Sequence, residues 1–312
     1  MNKSTNHSGK VVVVGAMNMD LAVSTARLPQ KGESVLGNSI LQSAGGKGAN
    51  QAVAGALVGG NVGLVSMRGD DSYGESLIES ATSAGVDVSL VQIDPKEKTG
   101  TAVIFVDSNG DNMIVISPGA NSLITPEIAR QNLKNAGDVS VVSICGELPL
   151  STIKASLETA KEIGAQSVLN LSPYNPAAIE LLPLASVLVV NQHEAVDITG
   201  LQDPLANWSA TTEAFKRVGS TDVVVTLGED GAMILNCQSS DFVPTKVDAI
   251  KVKAVDTTGC GDAFTGSLCV KLASGESMVD AAKFAVKVAG YAAQFAGAQK
   301  SYGTLAEILA RP

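Results

Sequence analysis

The string Val255-Asp-Thr-Thr-Gly-Cys-Gly-Asp-Ala-Phe-Thr-Gly266 is the part of this chain best suited to chemistry. Its glycines fall where a helix would begin, leaving the backbone N–H groups of Gly259, Cys260 and Gly261 free to point at an anion. Asp262 sits in the first turn, where its charge also suits the helix dipole. Such an arrangement stabilises a phosphate-like group beside a carboxylate base. The plainer reading is a Gly-rich turn with a capping aspartate. A Gly-x-Gly alone is a weak signal, but the whole Asp-Thr-Thr-Gly-x-Gly-Asp is a specific one.

Other polar residues recur at the ends of apolar runs. Asn18 and Asp20 follow Val11–Val14, Glu147 follows Val139–Ile144, and Asn191 and Glu194 follow Val187–Val190. Gly228 follows Val223–Leu227, and Asp262 follows the run ending at Val255. In open α/β sheets, ligands bind beyond the carboxyl ends of the strands. Each residue alone reads as an ordinary loop or cap position; their shared placement points to one cleft. Two absences narrow the chemistry. No Gly-x4-Gly-Lys-Ser/Thr occurs, and Gly45-Gly-Lys-Gly-Ala-Asn50 lacks that spacing. The first run leads into Gly15-Ala-Met-Asn-Met-Asp20, not the dinucleotide Gly-x-Gly-x-x-Gly, which disfavours a nicotinamide dehydrogenase. Phosphoryl transfer by another architecture remains.

The elements that must position these residues alternate. Continuous apolar runs at Val11–Val14, Val62–Met67, Val139–Ile144, Val168–Leu171, Val187–Val190 and Val223–Leu227 predict strands buried on both faces. Helical spacing is predicted over Ala49–Leu57, Ser72–Ala84, Ser151–Gly164 (with Ser151 as N-cap), Gly261–Ala273 and Ser277–Ala296. Repeated strand–helix units imply an α/β fold with a mainly parallel sheet covered on both sides. Two inserts break the alternation: residues 20–44, and the runs Thr101–Val106 and Met113–Ser117 around an Asn-Gly turn. They are expected to pair into a small antiparallel sheet that serves as a lid.

Composition bounds the rest. The chain has 312 residues, 45% apolar and 17% charged, which excludes a disordered solvating chain. A net charge of −9, from 22 basic and 31 acidic side chains, speaks against a nucleic-acid partner. The 4% aromatic content leaves little for base stacking. No apolar stretch is long enough for a membrane span, and the polar start MNKSTNHSGK lacks a signal-peptide core, so a cytoplasmic protein is expected. The cysteines at 145, 237, 260 and 269 show no Cys-x-x-Cys, which disfavours structural zinc and a disulfide scaffold.

From about Val11 to Leu309 the chain resembles the ribokinase family of carbohydrate kinases. The motifs are Asn18-Met-Asp20, Gly45-Gly46-Lys-Gly-Ala-Asn50-Gln-Ala, Gly69-Asp-Asp-x-x-Gly74, Thr99-Gly-x-Ala102, Asn191-x-x-Glu194, Thr226-Leu-Gly-x-x-Gly231, Asp256-Thr-Thr-Gly-x-Gly-Asp262 and Gly297-Ala-Gln299. The resemblance implies one domain over 1–312, a three-layer sandwich with a lid from about 18–44 and 99–118. It implies a sugar held by Asn18, Asp20, Gly46, Lys47, Asn50, Ala102, Glu147 and Asp262. Asp262 would be the general base, and the amides of Gly259, Cys260 and Gly261 would stabilise the transferring phosphoryl group. ATP would lie on Asn191, Thr226, Gly228, Gly231 and Gly261, with magnesium near Asn191 and Glu194. A potassium-like cation is implied at Asp256 and Thr258, with Ala292, Phe295, Gly297 and Ser301. Ribose is the expected sugar: by the resemblance Glu147 stands where ribokinases carry a sugar-contacting glutamate, Asn18-x-Asp20 offers acceptors for vicinal hydroxyls, Gly46-Lys47 allows close approach of a small ring, and the lid has few aromatics. Deoxyribose, another sugar or a nucleoside is the competing substrate, and a sugar sensor without turnover is the reading from another class. A homodimer through the lid is implied as well.

Two positions depart from similar kinases. Val286 stands where a polar residue is common, and Cys260 where a small residue such as alanine is usual. A thiol at a helix N-terminus is expected to have a somewhat lowered pKa, opposed by Asp256 and Asp262. The plainer expectation for Cys260 is an inert side chain packed under the loop.

Overall fold

The computed structural model describes residues 9–239, 241 and 243–311; the polar start at 1–8 lies outside them. In strand β1 (Lys10–Val14) the four valines alternate between two apolar layers. Val11 and Val13 pack toward α1 (Lys47–Leu57), α2 (Ser72–Ser83), α7 (Cys260–Ala273), α8 (Met278–Ala292) and α9 (Leu305–Ala310). Val12 and Val14 pack toward α3 (Pro126–Asn135), α4 (Leu150–Glu162), α5 (Gln192–Thr199) and α6 (Trp208–Arg217). An unbroken apolar run is what burial on both faces requires.

Strands β4 (Val62–Gly69), β5 (Val91–Asp94), β8 (Val139–Cys145), β9 (Gln166–Asn170), β10 (Val187–Asn191), β11 (Asp222–Thr226), β12 (Ala232–Asn236) and β13 (Thr245–Val247) complete the main sheet. Its order is β13-β12-β11-β10-β9-β8-β1-β4-β5. Only the β11–β12 and β12–β13 pairings are antiparallel. The sandwich of helices, mainly parallel sheet and helices is the expected fold.

The second sheet is formed by β2 (Asn18–Thr25), β3 (Gly37–Gly45), β6 (Thr101–Val106) and β7 (Asn112–Ser117), in the order β3-β2-β6-β7. Its two hairpin-like pairings are antiparallel, while the two inserts join along a parallel β2–β6 seam that sets Asp20 opposite Ala102. Asp71 fixes where the second insert leaves the main body. Its carboxylate caps α2 at Gly74 N and accepts from both the N–H (2.9 Å) and the hydroxyl (2.6 Å) of Thr99. Against burial, which acts upward, those bonds hold the Asp71 carboxyl below its ordinary pKa.

Three local expectations need correction. Helix α4 starts at Leu150 after Pro149, so Ser151 lies inside its first turn and is not the N-cap. Helix α8 stops at Ala292, because the chain must turn to bring Gly297 (φ +87°) back to Asp256. The run ending at Val255 is not a strand: Val255 N–H donates to Ala293 O, and Ala249, Ile250, Val252 and Ala254 line a cleft.

Candidate active site

Two helix N-termini frame the site, and each begins at a glycine with positive φ. Gly46 (φ +85°) opens α1, and a Cβ there would lie 2.7 Å from the backbone of Met17 and Asn18. Gly259 (φ +75°) opens α7, where a Cβ would meet the Tyr302 hydroxyl at 2.5 Å and Ala298 at 2.9 Å. Both turns therefore require glycine.

At α7, the N–H groups of Gly259, Gly261 and Asp262 have no partner among the described residues, as expected of a helix start. The Cys260 N–H is different. It donates to Thr257 O at 3.2 Å, so the expected three-amide hole loses Cys260. Its side chain follows the plainer expectation of a packed thiol and not that of a lowered pKa: burial first, then Asp256 and Asp262, push it up to about 11. Desolvation outweighs the helix dipole, and Cys260 is a packed thiol. Cys260→Ala is expected to keep wild-type turnover and to be inactivated by iodoacetamide at the wild-type rate. Resistance of the variant would restore a reactive thiol at this position.

Asp262 is only 4% exposed. Its Oδ2 accepts from Asn50 Nδ2 at 3.0 Å, and its Oδ1 from Gln51 Nε2 at 3.3 Å. Facing it are Asp20 from β2, Glu147 beyond β8 and Lys47 in the first turn of α1. Glu147 Oε2 accepts the Lys47 N–H at 2.9 Å, so this carboxylate also caps α1. Burial, with Asp262 nearby, pushes Asp20 up to about 6. Burial pushes Glu147 up to about 7 against the pull of Lys47, whose own pKa is raised chiefly by Asp262. One buried and two half-buried carboxylates around one ammonium form a site that invites hydroxyl donors.

Asn18 is fixed by Asn121, whose Nδ2 donates to Asn18 Oδ1 at 2.9 Å and which also bonds both backbone groups of Met17. The sequence carries no signal for Asn121 beyond its type. Gln51, Asn170 and Gln299 were missed as well. Two of them stand inside the quoted motifs, which was the available clue.

From this centre a cleft of about 1060 Å³ runs along the ends of β10 and β11. It is lined by Asn191, Glu194, Thr226, Gly228 and Gly231, and on its apolar side by Val286. Asn191 and Glu194 form a capping box at α5, Asn191 Oδ1 accepting from Glu194 N (2.9 Å) and Glu194 Oε2 from Asn191 N (2.8 Å). Thr226 donates to Val190 O, and a Cβ on Gly231 would strike Val247 O at 2.0 Å.

A separate corner forms around Asp256, just before α7. Asp256 accepts from Thr258 N (2.9 Å) and Gly297 N (2.8 Å), so Asp256, Thr258 and Gly297 do come together. Opposing burial, those bonds hold the Asp256 carboxyl below its ordinary pKa. Ala292 and Phe295 share the adjoining turn, Phe295 N donating to Ala292 O, while Ser301 Oγ donates to Ala298 O at 2.7 Å. Among the described residues no group of three His, Cys, Asp or Glu side chains gathers as a metal site.

Comparison with known proteins fits this geometry. Residues 8–305 match the family described as pfkB family carbohydrate kinase. The chain belongs to that family. Within it, a mouse ribokinase is 37% identical over 309 residues, covering 94% of this chain and 91% of that protein. A deoxyribokinase of Salmonella typhi is 30% identical, covering 95% and 96%. The solved structure of an Arabidopsis thaliana ribokinase complexed with ribose and ATP superposes with a TM-score of 0.86 at 30% identity, covering 97% of this chain and 98% of that one. As a pfkB family member the chain is a carbohydrate kinase. No helix among its described residues is long and apolar enough to cross a membrane.

Proposed function

We propose that this chain phosphorylates D-ribose at O5 with ATP. The observation that carries the reading is the Asp262 carboxylate, which lines the cleft beside the unpartnered Gly259 and Gly261 amides and has Asp20 and Glu147 for neighbours. Full-length similarity to ribokinases, one of them complexed with ribose and ATP, supports the choice of sugar. In this reading one domain works throughout, in the cytoplasm, and the small sheet acts as a lid. The sugar lies under it against Asn18, Asp20, Gly46, Lys47, Asn50, Ala102 and Glu147.

Asp262 accepts the proton of the attacking hydroxyl, and the amides of Gly259 and Gly261 meet the charge on the phosphoryl oxygens. Phosphoryl transfer depends on such alignment and charge placement. Thr226, Gly228 and Gly231 line the nucleotide end. Asn191 and Glu194, both lining the cleft, fit magnesium held through water, since their mutual bonds engage only one of the Glu194 oxygens. Magnesium supplies neutralisation of the phosphate charge. At the Asp256–Gly297 corner the Asp256 carboxylate, although it already accepts the Thr258 and Gly297 N–H groups, is the hard oxygen donor that would hold a monovalent cation such as potassium. Such a cation would steady the start of α7.

A coupled assay of ADP release over ribose, deoxyribose, other pentoses and nucleosides tests the reading. The highest kcat/KM is expected with D-ribose. A higher value with deoxyribose or a nucleoside would reassign the substrate, and no turnover with any of them would favour a sensor.

The lid also fits a homodimer. On its edge strands β3 and β7, Ile40 (59%), Leu41 (64%), Ile114 (52%) and Val115 (63%) are largely exposed. Apolar edge strands of this kind invite pairing. Light scattering at micromolar concentration is expected to give twice the 31.8 kDa chain mass, and a monomer alone would overturn the dimer.

A further inference from the structure

We infer that Gln299 and Gln51 are positioning residues that aim the two oxygens of Asp262, each through a chain of side-chain hydrogen bonds ending on a serine. The inference rests on Asp262 being the base.

An ionised carboxylate only accepts hydrogen bonds, so whatever touches it must present N–H or O–H. Asn50 therefore turns Nδ2 to Asp262 Oδ2 (3.0 Å) and leaves Oδ1 facing the other way. That oxygen needs a donor, and Gln299 Nε2 supplies it at 3.1 Å. Gln299 then has only Oε1 left, which accepts from Ser80 Oγ on α2 at 3.1 Å. The direction of every bond in the first chain follows from the charge at its end.

The second chain obeys the same logic from both ends. Gln51 is fully buried. Its Nε2 faces Asp262 Oδ1 (3.3 Å) and Asn170 Oδ1 (3.0 Å), and its Oε1 accepts from Ser143 Oγ at 2.8 Å. Asn170 is itself fixed, because its Nδ2 donates to Val189 O at 3.1 Å, a carbonyl that can only accept. Reversing Gln51 would set oxygen against oxygen at the carboxylate, and reversing Asn170 would set oxygen against Val189 O, in a site where an unpaired polar group is costly.

The two chains join distant parts of the fold. Asn50 and Gln51 lie 212 and 211 residues from Asp262, and Gln299 lies 249 from Asn50. Gln299 also follows Gly297, whose N–H is held by Asp256. Gln299 thereby ties α1 to α2, while Asn50 and Gln51 tie α1 to the start of α7.

Turnover of the full chain with ATP and D-ribose tests this in Gln299→Met, Gln299→Glu, Gln51→Met and Ser80→Ala, with Asp262→Asn in the same series. Gln299→Met and Gln51→Met are each expected to lower kcat about 10- to 100-fold, the scale of a small misplacement of a reacting group. KM for ATP should stay near the wild-type value. Gln299→Glu should be worse than Gln299→Met although its shape is closer, because a carboxylate forces Asn50 to reverse. Ser80→Ala should cost less, and nothing further when added to Gln299→Met. A packing role predicts the opposite order, with Gln299→Glu better than Gln299→Met, and that order overturns the inference. So does wild-type kcat in Gln299→Met while Asp262→Asn is impaired; this half-exposed position also keeps the test alive should Gln51→Met fail to fold. Wild-type turnover in Asp262→Asn would remove the base reading and this inference with it.

Discussion

Asp262→Asn is expected to lower kcat by about 10²- to 10⁴-fold, the usual worth of general-base assistance, while the sugar still binds. The substitution keeps the shape of a side chain that is buried at the start of α7 and bonded to Asn50. It removes the charge and the capacity to take a proton, and because both oxygens accept N–H groups it also leaves either Asn50 or Gln51 facing an amide NH2. Steady-state kinetics paired with calorimetric titration of ribose separates the two effects. Turnover within about threefold of wild type, far below that range, would remove Asp262 from the proton transfer.

Asp20→Ala should act on the other quantity. Its carboxylate is half-buried on β2 over Gly45, where a Cβ would meet Oδ2 at 2.1 Å, and it accepts no hydrogen bond among the described residues. It is thus held ready for a ligand hydroxyl. A hydrogen bond to a charged group contributes about 1.5–3 kcal/mol, so KM for ribose should rise roughly 10- to 100-fold with little change for ATP. Equal increases for both substrates would show that Asp20 supports only the lid.

Much of the architecture was legible because its causes are local. An apolar run such as Val11–Val14 can be satisfied only by burial on two faces, and Asn109-Gly110 marks the β6–β7 hairpin directly. The Asp256–Asp262 string likewise announces a helix start that keeps its amides free. Illegible features depend on what the fold brings near. Nothing beside Cys260 shows that burial overrides the helix dipole. The end of α8 is set by Asp256, far back in the chain, and the orientation of Asp262 by amides more than 200 residues away. The parallel seam between β2 and β6 is a long-range choice that neither strand's own pattern encodes.

With the sugar held by Asp20 and Glu147 as proposed, their raised pKa values, about 6 and about 7, would make sugar binding an exchange with the solvent's protons. Sugar hydroxyls that donate to these carboxylates favour their ionised forms. Between pH 6 and 7 the empty site holds part of a proton on Glu147 and less on Asp20, and binding must expel it. The heat of association will therefore vary with the ionisation enthalpy of the buffer, and affinity will weaken as pH falls through 7 and then 6. A pocket built to read hydroxyl groups thus doubles as a proton source at the moment it is filled.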